Sequence, residues 1–169
     1  MYYNVVRQYA QALRNLSSWL DKAEQHAKAH NLDIQTLLDA RLAPDMATFI
    51  YQVTSACDYI KGAAARLTGQ TPPRHEDNEK TIDEVRDRIK KTIAYVETVD
   101  ESQYATAAEQ QIRVSWSPPG KAIGGEDYLA QVSNPNVYFH LVTAYAILRH
   151  KGVEIGKMDF VGPIDWVDA

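Results

Sequence analysis

The sequence predicts an all-α protein, a four-helix bundle with a short β-hairpin inserted between its third and fourth helices. Three observations carry that prediction. Four separate stretches repeat apolar residues at alternating spacings of three and four, the signature of a helix seam facing partner helices. A stretch between the last two alternates every second residue instead. The chain has 169 residues, enough for one apolar core and nothing that demands two. The expected layout is a single domain over residues 1–169, with helices at about 4–30, 44–68, 81–99 and 134–151, a hairpin at about 110–123 and a packing tail over 153–169.

The first helix takes its seam from Val6, Tyr9, Leu13, Leu16, Leu20, Ala23 and Ala27. Lys28 and His30 suit the negative end of its dipole, and Asn31 is a left-handed stop. After a connector in which Asp33 caps a turn through Leu38, Pro44 stands where a first-turn proline sacrifices no hydrogen bond. Met46, Phe49, Val53, Ala56, Ile60, Ala63 and Leu67 then form the second seam, which Gly69 and Pro72-Pro73 end.

Thr81 and Glu84 announce the third helix as a capping box, and Ile82, Val85, Ile89, Thr92, Val96 and Val99 form its seam. Its other residues, Asp83, Glu84, Arg86, Asp87, Arg88, Lys90 and Lys91, read as a solvated outer face. Ile112, Val114 and Trp116 alternate with polar residues before Ser117-Pro118-Pro119-Gly120 turns the chain, which reads as a short hairpin or an irregular flap leaning on the bundle. In the last helix Asn134 is the cap, Pro135 takes the first turn, and Tyr138, Leu141, Tyr145 and Leu148 are the buried stripe, closed by Gly152. The tail, with Met158, Phe160 and Trp166, is apolar enough to pack along the bundle or against a second subunit.

A formal charge of −4 with the signs interspersed disfavours nucleic acid as a partner, since a phosphate backbone needs a basic stripe. The longest mostly apolar run, Val137 to Leu148, is well short of the roughly 20 residues of a membrane span. The single cysteine, Cys57, allows no internal disulfide, and Met1 to Arg7 lack the layout of a signal peptide, so the cytoplasm is the expected compartment. Gly120-Lys121 and Gly124-Gly125 lie in a turn and precede no phosphate-binding helix, so nucleotide binding has no support.

Four strings carry a resemblance: Arg41-Leu42-Ala43-Pro44-Asp45-Met46, Lys61-Gly62-Ala63-Ala64-Ala65-Arg66-Leu67, Asn134-Pro135-Asn136-Val137-Tyr138-Phe139-His140 and Ala144-Tyr145-Ala146-Ile147-Leu148-Arg149-His150. They resemble an uncharacterised bacterial family, a domain of unknown function that is similar to the DinB-like (YfiT-like) bundles over residues 1–162. The resemblance implies an up-down-down-up bundle whose second and third helices run parallel, joined by a crossover over Thr68 to Lys80, and it implies a homodimer. Better-studied relatives hold a divalent metal through three histidines, one on the second helix and two at i,i+4 on the last. Some of those relatives transfer a low-molecular-weight thiol to an electrophile.

That metal pattern is incomplete here. His150 matches the terminal histidine, but Ala146 stands four residues before it. His140 is ten residues from His150, roughly 15 Å along the helix and about 80° around it, too far to share an ion. The second helix offers only Asp45, Gln52, Cys57 and Asp58 in place of a histidine. His26 and His30 are correctly spaced for a metal pair but have no Glu-x-x-His companion, so only adventitious divalent metal is expected there, and no cofactor is predicted. Cys57 beside the seam reads as a buried inert thiol.

Asp58 and Lys61 at i,i+3 form an ion pair and, with Tyr138, His140 and His150, are the candidate polar lining of a pocket. Two functions follow as expectations. One is a bundle with a degenerate metal site that binds a small molecule or a protein partner. The other is a diverged thiol transferase-like or hydrolase-like enzyme using a His/Asp pocket.

Overall fold

A computed structural model describes residues 1–168. Its helices are α1 (Tyr2–Ala29), the short α2 (Gln35–Leu38), α3 (Phe49–Leu67), α4 (Ile82–Glu97), α5 (Gly125–Asp127), α6 (Asn134–His150) and α7 (Lys157–Val161). The heptad seams of α1 and α4 are buried along their whole length, as is that of α3 from Phe49 onward. Asn31 ends the first of these with φ of 53°, the left-handed conformation that asparagine tolerates.

Cross-helix contacts fix the directions. Between α1 and α4, Arg14 pairs with Glu97 and Arg86 with Glu24, so these two are antiparallel. Between α3 and α6, Gln52 meets His140, and Arg66 meets Tyr128 just ahead of α6, again antiparallel. Asp58 pairs with Arg88, and Gln70, past the end of α3, meets Tyr95 near the end of α4, so α3 and α4 are parallel. The bundle is therefore up-down-down-up, with residues 68–81 as the crossover.

Two expected helix starts are displaced. Helix α3 begins after Thr48, whose hydroxyl accepts from the Tyr51 amide, rather than at Pro44. Pro44 lies instead in a turn that Arg41 clasps by donating to the Met46 carbonyl. Asn134 is not a cap: its φ and ψ of −54° are helical and its side chain accepts from the Tyr9 hydroxyl. The helix runs on unbroken from α5 through a π-helical turn, Tyr128–Ser133, into α6. A proline inside a helix presses its ring on the carbonyl four residues back, and a wider turn just ahead of Pro135 relieves that pressure. The stripe of α6 is correspondingly shifted, with Val137, His140, Leu141, Ala144, Ile147 and Leu148 buried and Tyr138 and Tyr145 only half-buried.

The hairpin is shorter than the alternation suggests. Only β1 (Gln111–Ile112) and β2 (Ile123–Gly124) pair, antiparallel, with Ile112 opposite Ile123. Gly125 follows directly, where a Cβ would stand 1.8 Å from the Ala107 carbonyl oxygen, so only glycine fits. In the tail, α7 docks on α1: Phe160 stacks on Trp19 at 5.6 Å and the Trp19 indole donates to the Asp159 carbonyl at 3.0 Å.

Candidate functional site

Helix α3 presents Tyr51, Ser55, Asp58 and Tyr59 on one outward stripe, because their spacings of four, seven and eight return to the same side. Both irregular connectors converge on that stripe. The crossover contributes Asp77, the flap contributes Val114, Ser115 and Trp116, and the π-helical turn contributes Tyr128 and Val132. Together they enclose a cleft of about 380 Å³. At its far end the Arg66 guanidinium lies 5.9 Å over the Tyr128 ring and donates to its hydroxyl at 3.0 Å. Gly62 makes the room, since a Cβ there would come within 2.4 Å of the Arg66 Nη1.

Behind Asp58 lies a buried charge network centred on Arg88, which is 2% exposed. Its Nη2 donates to Asp58 Oδ1 at 2.7 Å and to Asp77 Oδ1 at 3.0 Å. Its Nη1 donates to Glu79 Oε1 at 2.8 Å and to the Glu76 carbonyl at 3.1 Å. Burial opposes the charge, but Asp58, Asp77 and Glu79 outweigh it and hold the guanidinium above its ordinary pKa. Lys61, also buried, adds a second cation on Asp58 Oδ1 at 2.7 Å. Arg88 therefore belongs to the interior, where the charge run of α4 suggested a solvated face. A guanidinium can be buried there because three acidic side chains reach it from α3 and the crossover.

The histidine that faces α3 is His140. Its ring stacks on Tyr59 at 5.6 Å, meets Tyr51 edge-on, and donates from Nδ1 to Gln52 Oε1 at 2.8 Å in the tautomer that this contact selects. Burial lowers its pKa, so it is neutral, and among the described residues none hydrogen-bonds its Nε2. The metal-binding pattern does not fit this arrangement. Asn136 and Ala144 stand four residues to either side of His140, and among the described residues no three His, Cys, Asp or Glu side chains are grouped to hold an ion.

Of the residues singled out in the sequence, Asp58 lines the cleft, Lys61 braces it from behind, and His140 backs the wall made by Tyr51 and Tyr59. Tyr138 turns the other way, edge-on to Tyr9 of α1, and His150 is exposed at the far end of α6. The ten-position step from His140 to His150 keeps the two apart along the helix. His26 and His30 lie 4.2 Å apart between ring centres, near Gly152, with His30 Nδ1 donating to the His26 carbonyl. Cys57 is fully buried and its thiol is pushed up to about 12 by desolvation, which makes it unreactive at neutral pH.

Tyr51, Ser55, Tyr59, Arg66, Asp77, Arg88, Trp116 and Tyr128 belong to the site and carried no functional signal in the sequence. Only Arg88 left a trace: it follows the seam residue Val85 at i+3 and precedes Thr92 at i+4, on the edge of the buried face.

Residues 1–161 match a family described as a domain of unknown function (DUF1993). The chain is also similar to a protein whose crystal structure is described as that of a DinB family member from Shewanella denitrificans. The identity is 42% and the TM-score 0.93, with 99% of this chain and 95% of the other covered. No functionally curated protein matches.

Proposed function

The chain belongs to the DUF1993 family of DinB-like helical bundles, and from that premise we propose that it is a small-molecule-binding protein whose metal site has degenerated. The cleft on α3 is the observation that carries this reading: a concave site of about 380 Å³ where two connectors and a π-helical turn meet. Irregular π turns recur at functional sites because they redirect side chains that a regular helix would point elsewhere. Here the turn supplies Tyr128 and Val132 to the wall.

A mixed fragment library, read by the chemical shifts of the Trp116 indole N–H and of residues 51–59, tests the reading. Several fragments shifting both sets is the expected result. A library that leaves both sets unmoved sinks it. Elemental analysis of protein purified without a histidine tag tests the metal-free part, which a tightly bound stoichiometric divalent ion would overturn.

The proposal extends to a cytoplasmic homodimer. The single cysteine supports the compartment, and no helix among the described residues is long and apolar enough to cross a membrane. Support for the dimer is the exposed Ile164, Trp166 and Val167 beyond α7. Light scattering should give a two-subunit mass, and a monomer at micromolar concentration would count against it.

A second reading, a diverged thiol transferase-like or hydrolase-like enzyme, has one observation in its favour. His140 is neutral, oriented by Gln52, and keeps Nε2 without a protein partner among the described residues, the arrangement of a general base. Once a turnover is found, replacing Asp58, His140 and His150 by alanine should abolish it. Unchanged activity removes the enzyme reading.

A further inference from the structure

The cleft has a charge and surface character that narrows what it can hold. Three of its walls are aromatic, Tyr51 and Tyr59 on α3 and Tyr128 on the π turn, and the Trp116 side chain hangs over it at 60% exposure. Ring faces carry partial negative charge and attract cations. The carboxylates at the cleft are Asp58 and Asp77, whose side chains are 39% and 67% exposed. Each spends Oδ1 on the buried cations behind it, and among the described residues no donor reaches either Oδ2. Neither Lys61 nor Arg88 reaches the wall, so their charge stabilises the carboxylates from the protein side while the cleft side stays acidic.

The cation among the lining residues, Arg66, is held against an aromatic ring. Its guanidinium lies over the Tyr128 ring and bonds the Tyr128 hydroxyl, a position that Gly62 opens for it. Its Nε and Nη2 hydrogens have no protein partner among the described residues, but an anion drawn to them would face the carboxylates of Asp58 and Asp77 on the same wall. A cationic ligand meets the exposed Tyr51, the face of Tyr59 away from His140, and two carboxylate oxygens that no protein donor occupies.

We propose that the cleft selects compounds that carry an ammonium group on an aromatic body, the cation between Tyr59 and the free oxygens of Asp58 and Asp77. The inference rests on the binding reading above and goes beyond it by naming the ligand class. Ligands of this kind would sit with the flap closing over their apolar end through Trp116.

Three probes with the same ring separate the classes: phenethylamine, a cation at neutral pH, 2-phenylethanol, which is neutral, and 3-phenylpropionate, an anion. Titration calorimetry gives the affinities and the Trp116 indole shift confirms the place. Phenethylamine should bind about ten-fold tighter than 2-phenylethanol, the size of a partly desolvated cation–π contact with charge assistance. Asp77→Asn, which keeps an oxygen for Arg88 but removes the charge, should weaken phenethylamine roughly five-fold and leave 2-phenylethanol unchanged. Tyr59→Leu should weaken the cation more than the alcohol. Equal or tighter binding of 2-phenylethanol or 3-phenylpropionate at Trp116 overturns the ammonium proposal while leaving the binding reading standing. Failure of all three to shift Trp116 also overturns it, and the fragment library then decides whether the binding reading falls with it.

Discussion

The crossover over residues 68–81 and the flap over residues 113–122 both arch to the same cleft, and they are held there by different physics. Arg88 grips the crossover at the Glu76 carbonyl, Asp77 and Glu79, and ties it through Asp58 to α3. Within the flap, by contrast, the hydrogen bonds close on the flap itself: Ser117 with Val114, and Lys121 with Pro118. Only apolar contact through Val114 and Ile123 leans it on the core. Segments that lack buried polar ties open locally at little cost, whereas ties to a buried charge open only with the global fold. One side of the cleft is thus tied to a buried charge, and the other rests on apolar contact and its own turns.

Arg88→Met should break the tied side hardest. It leaves Lys61 as the only cation on Asp58 among the described residues and strands the mostly buried Glu79 side chain. Because Asp58 and Asp77 stay partly solvated, the cost is about 3 kcal/mol, the low end for breaking a buried ionic network. Urea denaturation measures the loss, and a loss under about 1 kcal/mol would mean that the crossover is held by something else. Native-state trypsin digestion sharpens the contrast. Cleavage at Arg113 or Lys121 in the flap should precede cleavage at Arg74 or Lys80 in the crossover, and the Arg88→Met protein should lose that order.

Gly125→Ala comes next, because its Cβ meets a backbone oxygen that cannot step aside. A loss of about 2 kcal/mol is expected, carried by the flap's anchored end rather than its free tip. His140→Ala should cost about 1–2 kcal/mol by leaving the Gln52 amide oxygen buried without its donor. His150→Ala, on the exposed end of the same helix, should stay within about 0.5 kcal/mol, and similar costs for both would contradict the interior placement of His140.

Acid is the gentlest probe. Burial lowers the pKa of His140, and burial with the nearby Lys61 and Arg88 lowers that of His75 on the crossover, against the attraction of Asp58. Both are below the free imidazole value of 6.5 when folded, so the unfolded chain binds their protons first. Their stabilisation is complete above about pH 6.5 and declines as the pH falls through the depressed values. Urea midpoints measured across that window should drop less steeply in the His75→Asn variant. An unchanged slope would mean that His75 titrates as a free imidazole.

The bundle was readable in the residues because heptad seams are local. Val6 to Ala27, Phe49 to Leu67 and Ile82 to Val99 carry their own period, and burial follows it position by position. What misled was chemistry with two uses. Asn134-Pro135 has the composition of a helix start, and here it follows a π turn inside a continuous helix. Pro44 has that composition too, and it lies in a clasped turn before Thr48. The site was the least legible part, since its pairs are separated by 88 residues for Gln52 and His140, 62 for Arg66 and Tyr128, and 30 for Asp58 and Arg88. Asp58 and Lys61 were visible as an i,i+3 pair, but no spacing rule reaches across helices to Arg88.

The π turn at Tyr128–Ser133 lets this helix hold one residue more than a regular helix of the same span. Each residue advances an α-helix by about 100°, and the wider turn absorbs one residue of surplus rotation. Deleting one residue between Tyr128 and Ser133 would therefore close the turn to a regular α-helix while the segments on either side keep their phase. His140, Leu141 and Ala144 would stay in the core, and the change would fall on Tyr128 and Val132, the side chains that the wide turn aims at the cleft.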